Sequence, residues 1–378
     1  MIVPVVSLIL MSFAVAYPAC LVVIRASHRL GMMDRAGTEA HKPAGRAVPN
    51  TGGIALFAGL MLPAVVGLLA VWVVPASLWQ GMGAVADHLP GLKARTGEAA
   101  VLMAALAGMH VLGLIDDRKN LGPWLKLGVM LAAAVLIATA GRTRVLEVLD
   151  VWLPGGGGYV LSIAITALWM VLVANAFNFL DNMDGLSAGV AAVVCGLYLA
   201  ATLIGGQYFV AGGCALLLGA LLAFLCFNLP PAKLFMGDGG SLVVGLSIAI
   251  ISVRMTYIDP AVGSEQPGGA GPAWYGVLMP LMILAVPLYD FLSVTVIRLS
   301  QGRSPLSGDH SHFSHRLVRK GLSQRAAVAV IWLCTLATGL SGVMLGTLDR
   351  WQAILAAAQT LAILGLLALL EWRAPDRS

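Results

Sequence analysis

Eleven apolar stretches of membrane-spanning length run through this chain, near 2–24, 52–74, 98–115, 123–141, 159–178, 187–205, 209–228, 240–257, 276–298, 326–347 and 351–371. A transmembrane helix needs about 20 predominantly apolar residues. Eleven of them consume about 220 residues, close to the hydrophobic share of 59% in a chain of 378. Nearly all the apolar content can therefore lie in lipid, and little is left for an extramembrane domain. The charged share is 11%, against about 25% for a soluble domain, which excludes a water-soluble globular protein. The expected fold is all-α: one polytopic transmembrane domain over 1–378 with about eleven helices. The count drops to ten if one of the short third and eighth stretches does not cross.

Basic residues set the expected orientation. With the stretches numbered in order, 17 of the 23 lysines and arginines fall after odd-numbered stretches or at the C-terminus, and 6 on the opposite side. The positive-inside rule makes the richer side cytoplasmic and puts the N-terminus outside. The net charge of +5 needs no nucleic-acid partner, because loop cations that fix topology account for it. The first stretch lacks a basic leader and is too long for a signal peptide, so it reads as a retained span. Cys20, Cys195, Cys214, Cys226 and Cys334 all lie in apolar stretches without CxxC spacing and read as small hydrophobes rather than disulfides or zinc ligands.

Every chemically suggestive segment falls on the basic side: HKPAGRAVPNTGG (41–53), LIDDRKNL (114–121), NAFNFLDNMDGL (175–186), KLFMGDGGS (233–241) and GRSPLSGDHSHFSHRL (302–317). Five polar segments, distant in sequence, reach one membrane face, as an active site on the cytoplasmic side requires.

Each segment has a plainer alternative. Asp116 and Asp117 end the third stretch, at the bilayer edge, where a carboxylate costs less than the roughly 2.5–3.5 kcal/mol of the midplane. Adjacent helical residues point about 100° apart, so one acid can hold a metal while the other faces a substrate or a basic partner. The alternative is a solvated helix end neutralised by Arg118 and Lys119. Asn175, Asn178, Asp181 and Asp184 recur every three residues with a drift of about 60° per step, so they converge only if the helix ends near Asp181. Amides beside carboxylates suit a nucleotide and a hard cation; interhelical hydrogen bonding is the alternative.

MGDGGS sets Asp238 between glycines just before a span, where free N–H groups and the helix dipole favour phosphate. Ser241 is a candidate N-cap. An acid beside a phosphate needs an intervening cation, and Mg²⁺ is bound by one or two carboxylates plus phosphate oxygens. GDGG alone is more often a turn. Asp309, His310, His312 and His315 sit in a cationic loop without cysteine, which favours anion or diphosphate recognition over zinc, with a solvated loop as the alternative. Asp290, inside the ninth stretch, is expected to be satisfied by a neighbouring helix, and a site role for it stays open.

Taken in order from His41 to Leu317, these segments resemble the polyprenyl-phosphate N-acetylhexosamine-1-phosphate transferases, the MraY/WecA/TagO group of glycosyltransferase family 4. The resemblance implies transfer of a sugar-1-phosphate from a UDP-sugar to a polyprenyl phosphate such as undecaprenyl phosphate. UMP is released, the cofactor is Mg²⁺ with Mn²⁺ as a substitute, and the place is the bacterial cytoplasmic membrane. It implies that Asp116 and Asp117 are the DD pair, Asp116 deprotonating or positioning the lipid phosphate. Asp238 becomes the metal-binding acid, with Asp117 as a second metal candidate. Asp181 and Asp184 match the acids of a DGxDGL segment, Asp184 among the catalytic set.

By the same resemblance Asn178 and Asn228 take amide positions at the nucleotide, Phe235 packs on uracil, and Lys126 contacts substrate. His312 and His315, with Arg303 of the same loop, lie near the donor's diphosphate or sugar. His41, Lys42 and Arg46 are the candidates for a basic position in the first loop, which is longer than usual. Asn182 departs from the first glycine of DGxDG, and Ser314 from the middle histidine of HxHH. A triple-histidine run is missing, which points to the WecA/TagO branch and to UDP-GlcNAc or a related UDP-HexNAc. The alternatives are a phospho-MurNAc-pentapeptide transferase of the MraY type and, in another class, an ion-coupled secondary transporter with acids near the midplane. Membrane lipids are expected partners, nucleic acid is not, and a homodimer is left open.

Overall fold

In the computed structural model the described residues are 2–31, 33–34, 47–80, 84–147, 149–153, 155–255, 277–304 and 311–373. His41, Lys42, Arg46, Asp309 and His310, and the Gly/Pro-rich stretch at 263–272, lie outside them. The helices are α1 (Ile2–Leu30), α2 (Gly52–Val73), α3 (Ala76–Gln80), α4 (Ala84–Ala94), α5 (Thr96–Lys119), α6 (Pro123–Thr139), α7 (Leu149–Trp152) and α8 (Gly157–Leu180). They continue with α9 (Leu186–Ile204), α10 (Tyr208–Asn228), α11 (Asp238–Met255), α12 (Leu278–Ile283), α13 (Ala285–Ser300), α14 (Phe313–Arg319), α15 (Gln324–Met344) and α16 (Arg350–Arg373). Two-residue strands β1 (Met33–Asp34) and β2 (Val48–Pro49) pair antiparallel across the first loop.

The all-α polytopic expectation agrees with this. Among the described residues nine helices (α1, α2, α5, α8, α9, α10, α11, α15 and α16) are long and apolar enough to cross a membrane. Two of the eleven expected stretches behave differently. The fourth becomes α6, an apolar helix of only 17 residues. The ninth breaks at Leu284 into α12 and α13. Pro287 falls in the first turn of α13, where its missing N–H leaves no intrahelical bond unmade. Helices α3 and α4 occupy a segment expected to be loop; α4 carries Asp87, His88 and Lys93, too polar to register as a span.

Helix α11 is the axis of the bundle. It packs against α2, α5, α8, α9 and α10, and every residue from Gly239 to Val253 is buried. Outer helices such as α1 and α16 instead leave large apolar side chains exposed, among them Leu10, Val22, Leu361 and Leu370, as lipid contact requires. Lipid supplies no hydrophobic drive between helices, so small residues and buried polar groups do the joining. Ser12 on α1 sits 2.9 Å from the Gly59 carbonyl of α2 and 2.6 Å from the Leu216 carbonyl of α10. Cys20, Cys195 and Cys214 are buried and unbridged.

Candidate active site

The polar segments meet because their helices end together. Helix α5 stops where Asn120 turns left-handed, φ 47°, its N–H on the Asp116 carbonyl. Pro123 then opens α6, which puts Lys126 in its first turn. Lys126 Nζ donates to Asp116 Oδ2 at 2.9 Å and also to Asp238 Oδ2, the first residue of α11. The other Asp116 oxygen accepts the Leu121 N–H at 2.6 Å. Asn178, in the last turn of α8, donates to Asp238 Oδ1 at 2.8 Å and to Ser241 Oγ at 2.9 Å. One ammonium thus lies between two carboxylates, with an amide completing the second.

Asp117 points elsewhere, as its 100° offset from Asp116 demands. Its Oδ1 accepts the Asp238 N–H at 2.9 Å and its Oδ2 the Gly239 N–H at 3.1 Å, while Asn50 donates to Oδ1 at 3.2 Å. Gly240 and Ser241 N–H both go to the Gly237 carbonyl. All four leading N–H groups of α11 are therefore engaged. This corrects two expectations. The start of α11 is not an open phosphate cradle, because a carboxylate from α5 already fills it. Ser241 is not its N-cap, because the helix begins three residues earlier.

Close backbone approach makes that capping possible. A methyl group on Gly113 would collide with the Asp238 carbonyl, and one on Gly53 with the Gly240 backbone. Gly237 adopts φ +67°, a conformation open to glycine at little cost. The N-terminus of α2 is pinned to the same place: Gly52 and Gly53 N–H donate to the Phe235 and Met236 carbonyls, each at 2.9 Å. His110 adds a further tie, its Nδ1 lying 2.7 Å from the Gly239 carbonyl and its ring stacked on Phe57.

Other expected residues sit around this cluster. Asn228 is 3% exposed; its amide accepts the Gly185 N–H at 3.0 Å and donates to the Leu234 carbonyl at 2.8 Å. Both ends of that side chain are spent on backbone. Asp184 accepts the Ala232 N–H at 2.9 Å, bracing the α8–α9 turn against the α10–α11 loop. Asp181 caps the end of α8. Phe235 is half-buried. Asn175 turns back to the Val171 carbonyl at 2.8 Å, so the interval-of-three series divides at the helix end.

The histidine segment joins through Phe179, the residue after Asn178. The His312 ring meets the Phe179 ring edge-on at 5.7 Å, and the Arg298 guanidinium lies 5.1 Å over the same ring. His312 Nδ1 is 3.0 Å from Asp290 Oδ2, and Asp290 Oδ1 accepts the Phe313 N–H at 2.6 Å. Asp290, 1% exposed, thereby holds the start of α14. His315 is half-buried on α14. Arg303 is exposed just past α13, and its N–H meets the Arg298 carbonyl at 2.8 Å.

Comparison with known proteins places this arrangement. Residues 99–256 match the model of Glycosyl transferase family 4. A decaprenyl-phosphate N-acetylglucosaminephosphotransferase of Mycolicibacterium smegmatis is 34% identical over 314 residues, covering 77% of this chain and 75% of the relative. The chain belongs to glycosyl transferase family 4. A probable undecaprenyl-phosphate N-acetylglucosaminyl 1-phosphate transferase of Bacillus subtilis is 29% identical over 338 residues, 88% of this chain and 82% of that one. A phospho-N-acetylmuramoyl-pentapeptide-transferase of Geobacillus kaustophilus is 31% identical over 302 residues, 75% and 82%. The stretch matched to the family model runs from α5 to α11 and so contains the whole carboxylate–lysine cluster of this family 4 member. It ends before the histidine segment.

Among the residues at this site that escaped the sequence reading are Asn50, His110, Gly113, Phe179 and Arg298. His110, Gly113 and Asp117 fall at i, i+3 and i+7, one face of α5; an intramembrane histidine on the stripe of an acid was a legible signal. Arg298 counted only as a topogenic loop cation, yet it is 1% exposed.

Proposed function

We propose that the protein transfers N-acetylhexosamine-1-phosphate, foremost GlcNAc-1-phosphate, from a UDP-sugar to undecaprenyl phosphate at the cytoplasmic face of a bacterial inner membrane. The observation that carries this reading is the Asp116–Lys126–Asp238–Asn178 cluster at the meeting ends of α5, α6, α8 and α11. The names of the M. smegmatis and B. subtilis relatives support the acceptor and the sugar.

The reaction joins two anions. An oxygen of the lipid phosphate forms a bond to the sugar-bearing phosphorus of the donor, the pyrophosphate bridge breaks, and UMP leaves with the bonding pair. Repulsion and alignment are the obstacles, so charge neutralisation and fixed geometry carry the catalysis. Lys126 presents an ammonium that receives a phosphate oxygen, and Asp116 holds that ammonium in place through its ion pair. Asn178 orients Asp238. His312, set by Asp290, would contact the donor. Helix ends at a membrane rim let the acceptor keep its tail in lipid while its phosphate enters.

Mg²⁺ fits the residues present. Lys126 already stands as a cation between two carboxylates, and the facing atoms are hard oxygens, the type Mg²⁺ takes together with phosphate and water oxygens. Among the described residues no group of three His, Cys, Asp or Glu forms a protein cage, and a substrate-bridging Mg²⁺ uses none. Asp238 would hold the ion, with Asp117 as a neighbour, and the ion would neutralise the donor diphosphate. A transporter reading is disfavoured by the clustering of Asp116, Asp117 and Asp238 at helix ends, while Asp290, inside α13, is engaged by His312 and the Phe313 N–H.

The test is incubation of purified protein with undecaprenyl phosphate, Mg²⁺ and a panel of UDP-sugars, with mass spectrometry of the lipid and detection of UMP. The expected product is undecaprenyl-diphospho-GlcNAc, lost in Asp116→Asn and Asp238→Asn. Absence of any lipid-linked sugar with every donor refutes the reading. A muramoyl-pentapeptide product would move it to the other branch.

A further inference from the structure

The carboxylate cluster and the histidine segment meet the end of α8 at consecutive residues, Asn178 and Phe179, about 100° apart around the helix, and their register depends on how the segment is held there. We propose that Asn182 and Ser314 form a positioning pair that fixes the His312–His315 segment against the carboxylate cluster. The proposal deepens the transferase reading above and rests on it for its kinetic consequence.

Ser314 Oγ donates to Asn182 Oδ1 at 2.6 Å, and Asn182 Nδ2 donates to the Phe179 carbonyl at 2.7 Å. The carbonyl can only accept, so it fixes which end of the amide faces it and leaves Oδ1 for the hydroxyl. The Phe179 carbonyl belongs to the last turn of α8, where carbonyls lack intrahelical donors, so the amide does two tasks at once. Ser314 is 1% exposed, and a buried hydroxyl without a partner is costly. The segment therefore attaches to α8 at two points: the His312 ring on the Phe179 ring, and Ser314 through Asn182 on the Phe179 backbone. Asn178, which orients Asp238, is one residue away on the same turn. Together with the Asp290 contacts to His312 and Phe313 from α13, these two attachments to α8 hold the segment from two helices and set its orientation toward Asn178.

The same two positions are where this chain departs from the pattern read in its sequence. A carboxamide stands at 182 where that pattern has glycine, and a hydroxymethyl at 314 where it has imidazole. One position gains the volume and hydrogen-bonding groups that the other gives up. The partners are 132 residues apart in sequence and in direct contact, so the two departures form one device.

The test is a double-mutant cycle on the full chain in detergent, with undecaprenyl phosphate, Mg²⁺ and UDP-GlcNAc. Asn182→Gly and Ser314→Ala should each raise KM for the UDP-sugar about tenfold, the equivalent of one lost buried hydrogen bond, with kcat changed far less. The Asn182→Gly/Ser314→Ala double variant should be no worse than Asn182→Gly alone, which already removes the shared hydrogen bond, the signature of a shared interaction. The Asn182→Gly/Ser314→His double variant should recover most of the wild-type KM. Independently of turnover, amide hydrogen exchange over 312–319 should accelerate in both single variants. Multiplicative effects in the cycle, or unchanged exchange in both single variants, overturn the proposal. Failure of the wild type to release UMP refutes the transferase reading instead, and the exchange measurement still decides the pair.

Discussion

Replacing Lys126 with methionine should push metal binding and turnover in opposite directions. The ammonium sits between Asp116 and Asp238, and the Lys126, Asp116 and Asp238 side chains are 16%, 11% and 28% exposed. Taken at a separation of about 5 Å, a divalent ion at Asp238 and that ammonium would repel by roughly 7 kcal/mol at an effective dielectric of 20. Over a quarter of the Asp238 side chain is open to solvent, and screening there brings the repulsion down to about 2 kcal/mol. Removing the ammonium should then tighten Mg²⁺ binding about 30-fold, while methionine preserves most of the stem's packing. The same change removes the cation offered to the acceptor phosphate, so UMP release should fall by about 100-fold or more. Calorimetric titration of Mg²⁺ into nucleotide-free protein at constant ionic strength reads the first effect, and a coupled UMP assay the second. Unchanged or weaker Mg²⁺ binding would mean that Lys126 and the ion do not share the Asp238 carboxylate. Persisting UMP release would remove the lysine from the mechanism.

Asp117→Ala should lower stability by about 2 kcal/mol, the upper range for a lost helix cap, because two N–H groups of α11 lose their acceptor; thermal unfolding in detergent checks it, and Asp116→Ala should show less. Gly113→Ala should cut UMP release more than tenfold by driving α5 off the Asp238 carbonyl, a loss that Gly108→Ala, with open space around it, should not reproduce. Asn228→Ala should cost about 1–3 kcal/mol through the stranded Gly185 N–H and Leu234 carbonyl, seen as a lower unfolding temperature; a change confined to the KM of the UDP-sugar would restore Asn228 to the nucleotide.

Much of this was legible in the sequence because hydropathy and chemistry coincide in a membrane protein. Where a span ends, polar residues begin, so Asp116, Asn178 and Asp238 announced both the helix boundaries and the cluster. What stayed hidden depends on packing. The direction of Asp117 follows from how closely α5 approaches α11, and that approach is set by Gly113 meeting a backbone 125 residues away, which no local pattern encodes. The break at Leu284 was masked by an apolar run that reads the same whether bent or straight. The family resemblance puts Asn228 at the nucleotide, and an amide at a span end is compatible with that role. It suits an orphaned turn equally well, and only the positions of Gly185 and Leu234 decide between them.

The two adjacent acids of α5 divide the labour that the site imposes. A helix N-terminus aimed at a diphosphate ordinarily supplies its own N–H groups. Here Asp117 consumes the N–H groups of Asp238 and Gly239, so α11 cannot grip phosphate directly and anion binding passes to cations. In the proposed reaction that role falls to Lys126: one ammonium, held in place by Asp116, whose carboxylate also accepts from Leu121, is the positive charge among the described residues of the cluster. The same arrangement sets the surroundings of Asp238, whose backbone N–H is capped by Asp117 while its carboxylate is met by the Lys126 ammonium on one oxygen and the Asn178 amide on the other. If Asp238 takes a divalent cation as proposed, the ion must share that carboxylate with Lys126, so the direction in which Asp117 turns and the position of Lys126 together decide how much negative charge is left for it.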